Sequence, residues 1–169
     1  MSDFHLAQFN LSRIRLPLDH PEMAEFMALL DPINALADGT PGLVWRFTDG
    51  AANDATSVRP FADDAVLVNF SVWTSRPALW DFVYRSAHLD VLRRRREWFT
   101  RVAEPYVVLW WIPAGHRPTV PEAVERLELL RLHGPTPDAF TFREPFEPVE
   151  PLEHSESGGQ ARPAHPARS

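Results

Sequence analysis

Residues Val68 to His88 read VNFSVWTSRPALWDFVYRSAH, and this stretch decides the fold. Val68 to Trp73 is an apolar run that predicts a strand. Ser75 follows as a helix N-cap, with Pro77 just inside the first turn. From there Trp80, Tyr84 and His88 recur at i, i+4 and i+8, which places three rings along one face of a single helix. A strand followed by an aromatic helical stripe that ends in histidine can form the wall of a small-molecule pocket.

The flanking sequence extends this unit in both directions. Upstream, Phe4–Asn10 (FHLAQFN) alternates as a strand, and Asp19 reads as the N-cap of a helix with Pro21 and Glu22 in its first turn. Met23, Phe26, Met27, Leu30, Ile33 and Leu36 keep helical spacing, with Pro32 expected to bend or interrupt it. A turn over 38–42 leads to a second strand at Leu43–Phe47, a polar loop over 49–64 and a third strand at Ala65–Trp73. Ser75 to about Val102 predicts helix in two segments hinged near Ser86, stopped by Glu104-Pro105. Tyr106–Ile112 (YVVLWWI) is so evenly apolar that it predicts a strand buried on both faces. Thr119 then caps a final helix that Gly134-Pro135 ends, and Phe140–Phe146 reads as a short edge strand.

The order β-α-β-β-α-β-α defines an α+β class: a ferredoxin-like split βαβ with a four-stranded antiparallel sheet and an extra C-terminal helix. With helices on one face only, the second apolar sheet face would stay wet, so a second copy packed sheet to sheet is expected. The domain is expected over residues 1–147. Residues 148–169, rich in Pro, Glu, Ser and Gly, read as a disordered tail.

Composition narrows the chemistry. The 169-residue chain is 44% hydrophobic, which suits one domain with a sizeable core. A net charge of −6 argues against non-specific nucleic-acid binding. The chain has no Cys, and all 17 of its Lys-plus-Arg residues are Arg. Thiolate ligands, disulfides, Schiff-base lysines and the P-loop lysine are therefore all excluded. No Gly-rich phosphate loop, G-x-S-x-G elbow or H-E-x-x-H metal motif is present. An Arg-only, Ala- and Pro-rich composition fits a high-GC bacterial genome. MSDFHLAQFN has neither a basic n-region nor a long apolar run, and no window is apolar enough to span a membrane, so a cytoplasmic protein is expected.

His88 is the principal candidate. It reads as a general base or ligand hydrogen-bonding group, as a haem ligand, or as a core imidazole held by a carbonyl. Tyr84, one turn earlier, either holds the imidazole or packs in the core. Asn10 and Asn69 are polar residues in apolar strands, suited to binding an oxyanion or to pairing inside the sheet. Trp45, Trp73, Trp98, Trp110 and Trp111 are numerous enough to line a flat aromatic pocket or to fill a core, and His116 after the last strand reads as a pocket-mouth residue or a turn cap. Arg93–Arg96 point in nearly all directions on a helix, so a solvated face is the favoured reading; at most one of them turns inward, where a carboxylate can meet it.

The passage Trp73, Ser75, Leu79 and Arg85-Ser86-Ala87-His88 resembles the W-x-S, helix, S-x-H pattern of the dimeric α/β barrel superfamily, to which the antibiotic-biosynthesis monooxygenases belong. Blocks across residues 4–146, among them HLAQFNLSRI, LDPINALAD, PGLVWRF, VLWWIPAGHRPTV and GPTPDAFTF, resemble the domain-of-unknown-function 3291 family. The superfamily resemblance implies a homodimer, a pocket between helices and sheet, and a small-molecule ligand. It includes cofactor-free oxygenases of aromatic and polyketide substrates, isomerases and cyclases, haem-degrading enzymes and plain binding proteins. For the first of these it implies His88 as base or orienting group, Tyr84 and Asn69 assisting, Asn10 on an oxyanion, no cofactor, and Trp45, Trp73, Trp98, Trp111 and His116 around the substrate. For the haem branch it implies His88 on iron beneath Asn10. That branch carries a Trp ten residues before its histidine, where this chain has Ala78.

Overall fold

The computed structural model describes residues 3–49, 54–56 and 58–149. The expected tail lies outside the described residues from position 150 onward. Strand β1 (Phe4–Arg13) runs past the expected Asn10 because Leu11 continues the alternation. A short 3-10 turn, Pro21–Met23, precedes helix α1 (Ala24–Asp38). Strands β2 (Leu43–Arg46) and β3 (Val66–Trp73) follow, then helices α2 (Arg76–Arg85) and α3 (His88–Arg93). Strand β4 (Val107–Pro113) and helix α4 (Val120–His133) complete the order. The four strands pair antiparallel in the order β2-β3-β1-β4, which is the ferredoxin-like arrangement.

Strand alternation sorts the side chains onto two faces. Ala7, Phe9 and Leu11 of β1, Val68, Phe70 and Val72 of β3 and Val108, Trp110 and Ile112 of β4 form one apolar layer with Ala123, Leu127 and Leu130 of α4. Phe9, Val108 and Trp110 are 0% exposed within a single chain. The extra helix therefore dries the sheet face that the sequence had left to a second copy. The opposite face carries Leu6, Trp73 and Leu109 and packs on Leu79 and Phe82 of α2 and Ala37 of α1. Beyond it, Phe26, Trp98 and Met23 close a third cluster with Leu67 and Ile14.

Several local readings change. His20, not Asp19, caps the first turn, its Nδ1 accepting from the Glu22 N–H at 3.1 Å. Pro32 sits inside α1 without interrupting it; it only removes the N–H that would reach the carbonyl of Ala28. The long helix predicted from Ser75 breaks at Ser86, as the hinge reading expected, and helical structure ends with a 3-10 turn at Arg95–Glu97 rather than near Val102. The break puts His88 on a different helix from Trp80 and Tyr84, so the three rings do not share one helical face. Phe140–Phe146 is not an edge strand: Phe140 alone bridges Leu109, with both N–H···O distances at 2.8 Å. Among the described residues no helix is long and apolar enough to cross a membrane.

Candidate functional site

A cavity of about 740 Å³ lies between the sheet and helices α1, α2 and α3. Its floor is the face opposite α4, where the alternation of β1 and β3 presents Gln8, Asn10, Ser12, Asn69 and Ser71. The register sets Gln8 against Ser71 and Asn10 against Asn69. Apolar side chains of the helices, including Ile33, Leu79 and Phe82, form the roof.

The polar floor is wired in one direction. The Trp73 indole N–H donates to Ser71 Oγ at 2.9 Å, and an indole can only donate. Ser71 therefore spends its hydroxyl proton on Gln8 Oε1, at 3.0 Å. Gln8 in turn donates from Nε2 to Asn10 Oδ1 at 3.3 Å. With its oxygen occupied, Asn10 presents amide N–H groups at the end of the row. Its cross-strand neighbour Asn69 is exposed although it sits in mid-strand between buried Val68 and Phe70. The two asparagine amides thus lie side by side on the cavity floor, where donors suit a negatively charged oxygen.

His88 enters from the roof. Ser86, the extended residue between α2 and α3, donates its hydroxyl to the Phe82 carbonyl and accepts the His88 backbone N–H at 3.2 Å. This turn sets the imidazole 4.9 Å from the Phe82 ring, which itself stacks on Trp73 at 5.2 Å. His88 Nδ1 lies 3.3 Å from the Val83 carbonyl oxygen. A carbonyl only accepts, so the proton sits on Nδ1 and Nε2 keeps its lone pair. Burial pushes the His88 pKa below its ordinary value, with the Val83 hydrogen bond partly opposing. The imidazole is therefore neutral at pH 7 and basic at Nε2. Tyr84, on the last turn of α2, lines the same cavity and packs on Trp80 at 4.3 Å. Burial raises its phenol pKa, and Tyr106 adds to the rise.

The structure thus brings His88, Tyr84, Asn69, Asn10 and Trp73 to one cavity. Four other expected residues lie elsewhere. Trp45 projects to the α4 face, with its ring 5.3 Å from Phe70 and the Arg117 guanidinium over it. Trp98 is 2% exposed in the cluster with Phe26. Trp111 is on the floor's side of the sheet but is covered by the 140–146 segment, donating to the Phe146 carbonyl at 2.7 Å. His116 binds Glu122 at 2.9 Å on the first turn of α4, away from the cavity. Sequence reasoning missed Gln8 and Ser71, although their period-2 spacing with Asn10 and Asn69 marks one polar strand face. It also missed Tyr106 and left open which of Arg93–Arg96 turns inward; Arg95 does, and it meets Tyr106 only in three dimensions. Among the described residues no group of three or more acidic or histidine side chains converges as a metal site.

A ferredoxin-like sheet with a polar floor, an apolar roof and a neutral histidine between them defines an α+β protein with a ligand-sized cavity. The chain belongs to the family described as Domain of unknown function (DUF3291), whose model matches residues 5–156. Among solved structures it is similar to Rv0793 from Mycobacterium tuberculosis, at 21% identity over 68% of this chain and 99% of that one, with a TM-score of 0.45. It is also similar to SnoaB, a cofactor-independent oxygenase from Streptomyces nogalater, at 19% identity over 71% of this chain and 99% of that one, with a TM-score of 0.43. No curated protein matches it.

Proposed function

We propose that the chain is a small-molecule enzyme of the cofactor-independent monooxygenase type, acting on an aromatic or polyketide-like substrate. The observation that carries this reading is the pairing of a neutral, Nδ1-protonated His88 on the cavity roof with the Asn10 and Asn69 amides on its floor. In this reading His88 Nε2 removes a proton from an activated ring carbon, and the asparagine N–H groups stabilise the oxyanion of the resulting enolate. The enolate passes electrons to dioxygen, and the hydroperoxide that forms loses water. A ring CH₂ and O₂ become C=O and H₂O, so neither flavin nor metal is needed for the balance. Tyr84 supplies a phenol that remains protonated at working pH, and the Trp73–Phe82 stack provides a flat apolar wall. Oxygen uptake with anthrone as probe tests this: turnover in the parent protein that His88→Gln removes is expected, and equal turnover in both rejects it.

A second reading rests on the same imidazole. A carbonyl-anchored Nδ1–H is also how a metal-binding histidine is held, which leaves Nε2 available to iron. If haem is bound, His88 would hold its iron, and the group would supply iron redox chemistry there. A haemin titration separates the readings, since only this one gives a Soret band that His88→Ala abolishes.

The proposal includes a bacterial, cytoplasmic homodimer, with residues 1–147 as the domain. The open outer edge of β2, beside exposed Val44, supports self-association. Sedimentation at micromolar concentration tests it, and a monomer there would contradict it.

A further inference from the structure

Three arginines line the cavity: Arg46 is held by Asp38, Arg143 is exposed, and Arg95 is a cation that the proposed chemistry does not use. Arg95 stands in the 3-10 turn Arg95–Glu97 and is half-buried on the cavity wall. Arg93 lies 3.5 Å from Asp90, Arg94 lies 2.7 Å from Glu25 and 2.8 Å from Glu97, and Arg96 is exposed. Among the described residues no carboxylate stands within ion-pair distance of Arg95. Its Nη1 instead donates to the Tyr106 phenol oxygen at 2.6 Å, with the guanidinium carbon 4.8 Å from the ring centroid. The sequence favours a solvated face for this run, with a carboxylate as a partner for one inward arginine; Arg95 turns inward and meets a phenol.

That pairing leaves donors without an acceptor. A guanidinium carries five N–H groups, and a phenol whose oxygen accepts from arginine still has its own O–H to donate. The surroundings are apolar, with Leu92, Phe99 and Val107 also lining the cavity. Two acids touch the same cavity, and neither faces Arg95 as a partner. Asp54 accepts from the backbone N–H of Thr56 at 2.8 Å and from its hydroxyl at 2.6 Å. Glu104 is exposed and lies 3.8 Å from Arg131. A cationic fork beside a free hydroxyl, in a weakly polar wall, matches an acceptor with two or three anionic oxygens.

We propose that Arg95 and Tyr106 form an anion-binding end of the cavity, so that the ligand is an apolar ring bearing a carboxylate or similar acid group. This rests on the reading of the cavity as the ligand site and narrows its substrate class. The acid group anchors at Arg95, and the ring extends between Trp73–Phe82 and the asparagine floor toward His88.

Two fluorescent probes of one skeleton test it: anilinonaphthalene sulfonate, which carries the anion, and N-phenylnaphthylamine, which lacks it. The parent protein is expected to bind the sulfonate about tenfold more tightly, the scale of one hydrogen bond to a charged group. Arg95→Gln is expected to remove that preference while leaving affinity for the neutral probe within about twofold, and Arg95→Lys to retain part of it. Cavity-filling Asn69→Trp is expected to weaken both probes. Equal affinities in the parent protein, or equal loss of both probes in Arg95→Gln, would overturn the anion end while leaving the cavity reading intact. Failure of both probes to bind, or insensitivity of both to Asn69→Trp, would overturn the cavity reading and this inference with it.

Discussion

The Nδ1 atom of His88 lies 3.3 Å from the carbonyl oxygen of Val83, five residues earlier and across the break between α2 and α3. The contact fixes the ring tautomer, and Ser86 fixes the backbone that makes it possible. If Nε2 is the base, His88→Gln lowers turnover by about 10²- to 10⁴-fold, the span of general base catalysis. Glutamine keeps polar size but cannot take the proton. Unchanged far-ultraviolet dichroism together with that loss is the expected pair of results.

The lowered pKa gives a sign to the pH dependence. The folded His88 takes up its proton at lower pH than the unfolded residue, whose value is about 6.5. Above that pH both states are neutral and the ring contributes fully to stability. As pH falls below about 6.5, the unfolded state binds the proton first, and stability declines until the folded pKa is reached. Activity that depends on neutral Nε2 falls on its acid side at a pH below the ordinary imidazole value. Urea unfolding across this window should show an acid-side loss in the parent protein that is diminished in His88→Gln.

Ser71 is the middle link of the floor. Ser71→Ala leaves the buried Trp73 indole N–H without its acceptor, at a cost of about 1–3 kcal/mol. The same change releases the Gln8 amide, and with it the orientation of Asn10. Loss of stability by denaturant titration, together with a fall in kcat beyond that in KM, is the expected result.

Much of this was legible in the sequence. The Ser75 and Thr119 caps and the Gly134 stop are local signals, and each bounds the helix it predicts. The apolar run of β4 correctly implied burial on both faces, since α4 covers one and the 140–146 segment part of the other. What local pattern could not carry is the path of the chain after an element ends. Helical spacing from Trp80 to His88 is real in the sequence, but Ser86 breaks the helix with its own side-chain bonds. The indoles show the same limit. Nothing near Trp45 or Trp98 tells which side of the sheet each will reach, and only Trp73 lines the cavity.

The α4 packing separates two leucines of one helix. Leu127 is 1% exposed against the sheet, so Leu127→Ala should cost about 2–5 kcal/mol. Leu132 is 74% exposed, and its change to Ala should stay within about 0.5 kcal/mol. Thermal and urea unfolding of the two variants checks that α4, within one chain, dries this sheet face.

Gly42 sets how closely β2 approaches α2, the helix that carries Tyr84. Its φ is +94°, and a Cβ there would stand 2.5 Å from Ala78 Cβ and 2.9 Å from Thr74 Oγ1. Gly134 has a φ of +71° but open space around it. Gly42→Ala should therefore destabilise by more than about 1 kcal/mol, and by more than Gly134→Ala. Denaturant midpoints of the two variants decide it.

The state of the His88 ring is the claim on which the chemistry rests, and nitrogen NMR of the ring reads it directly. With resonances assigned by comparison with His88→Gln, the expected result at neutral pH is a protonated Nδ1, an unprotonated Nε2 and titration below about 6.5. A proton on Nε2 at neutral pH, or a ring that titrates above that value, would contradict the account.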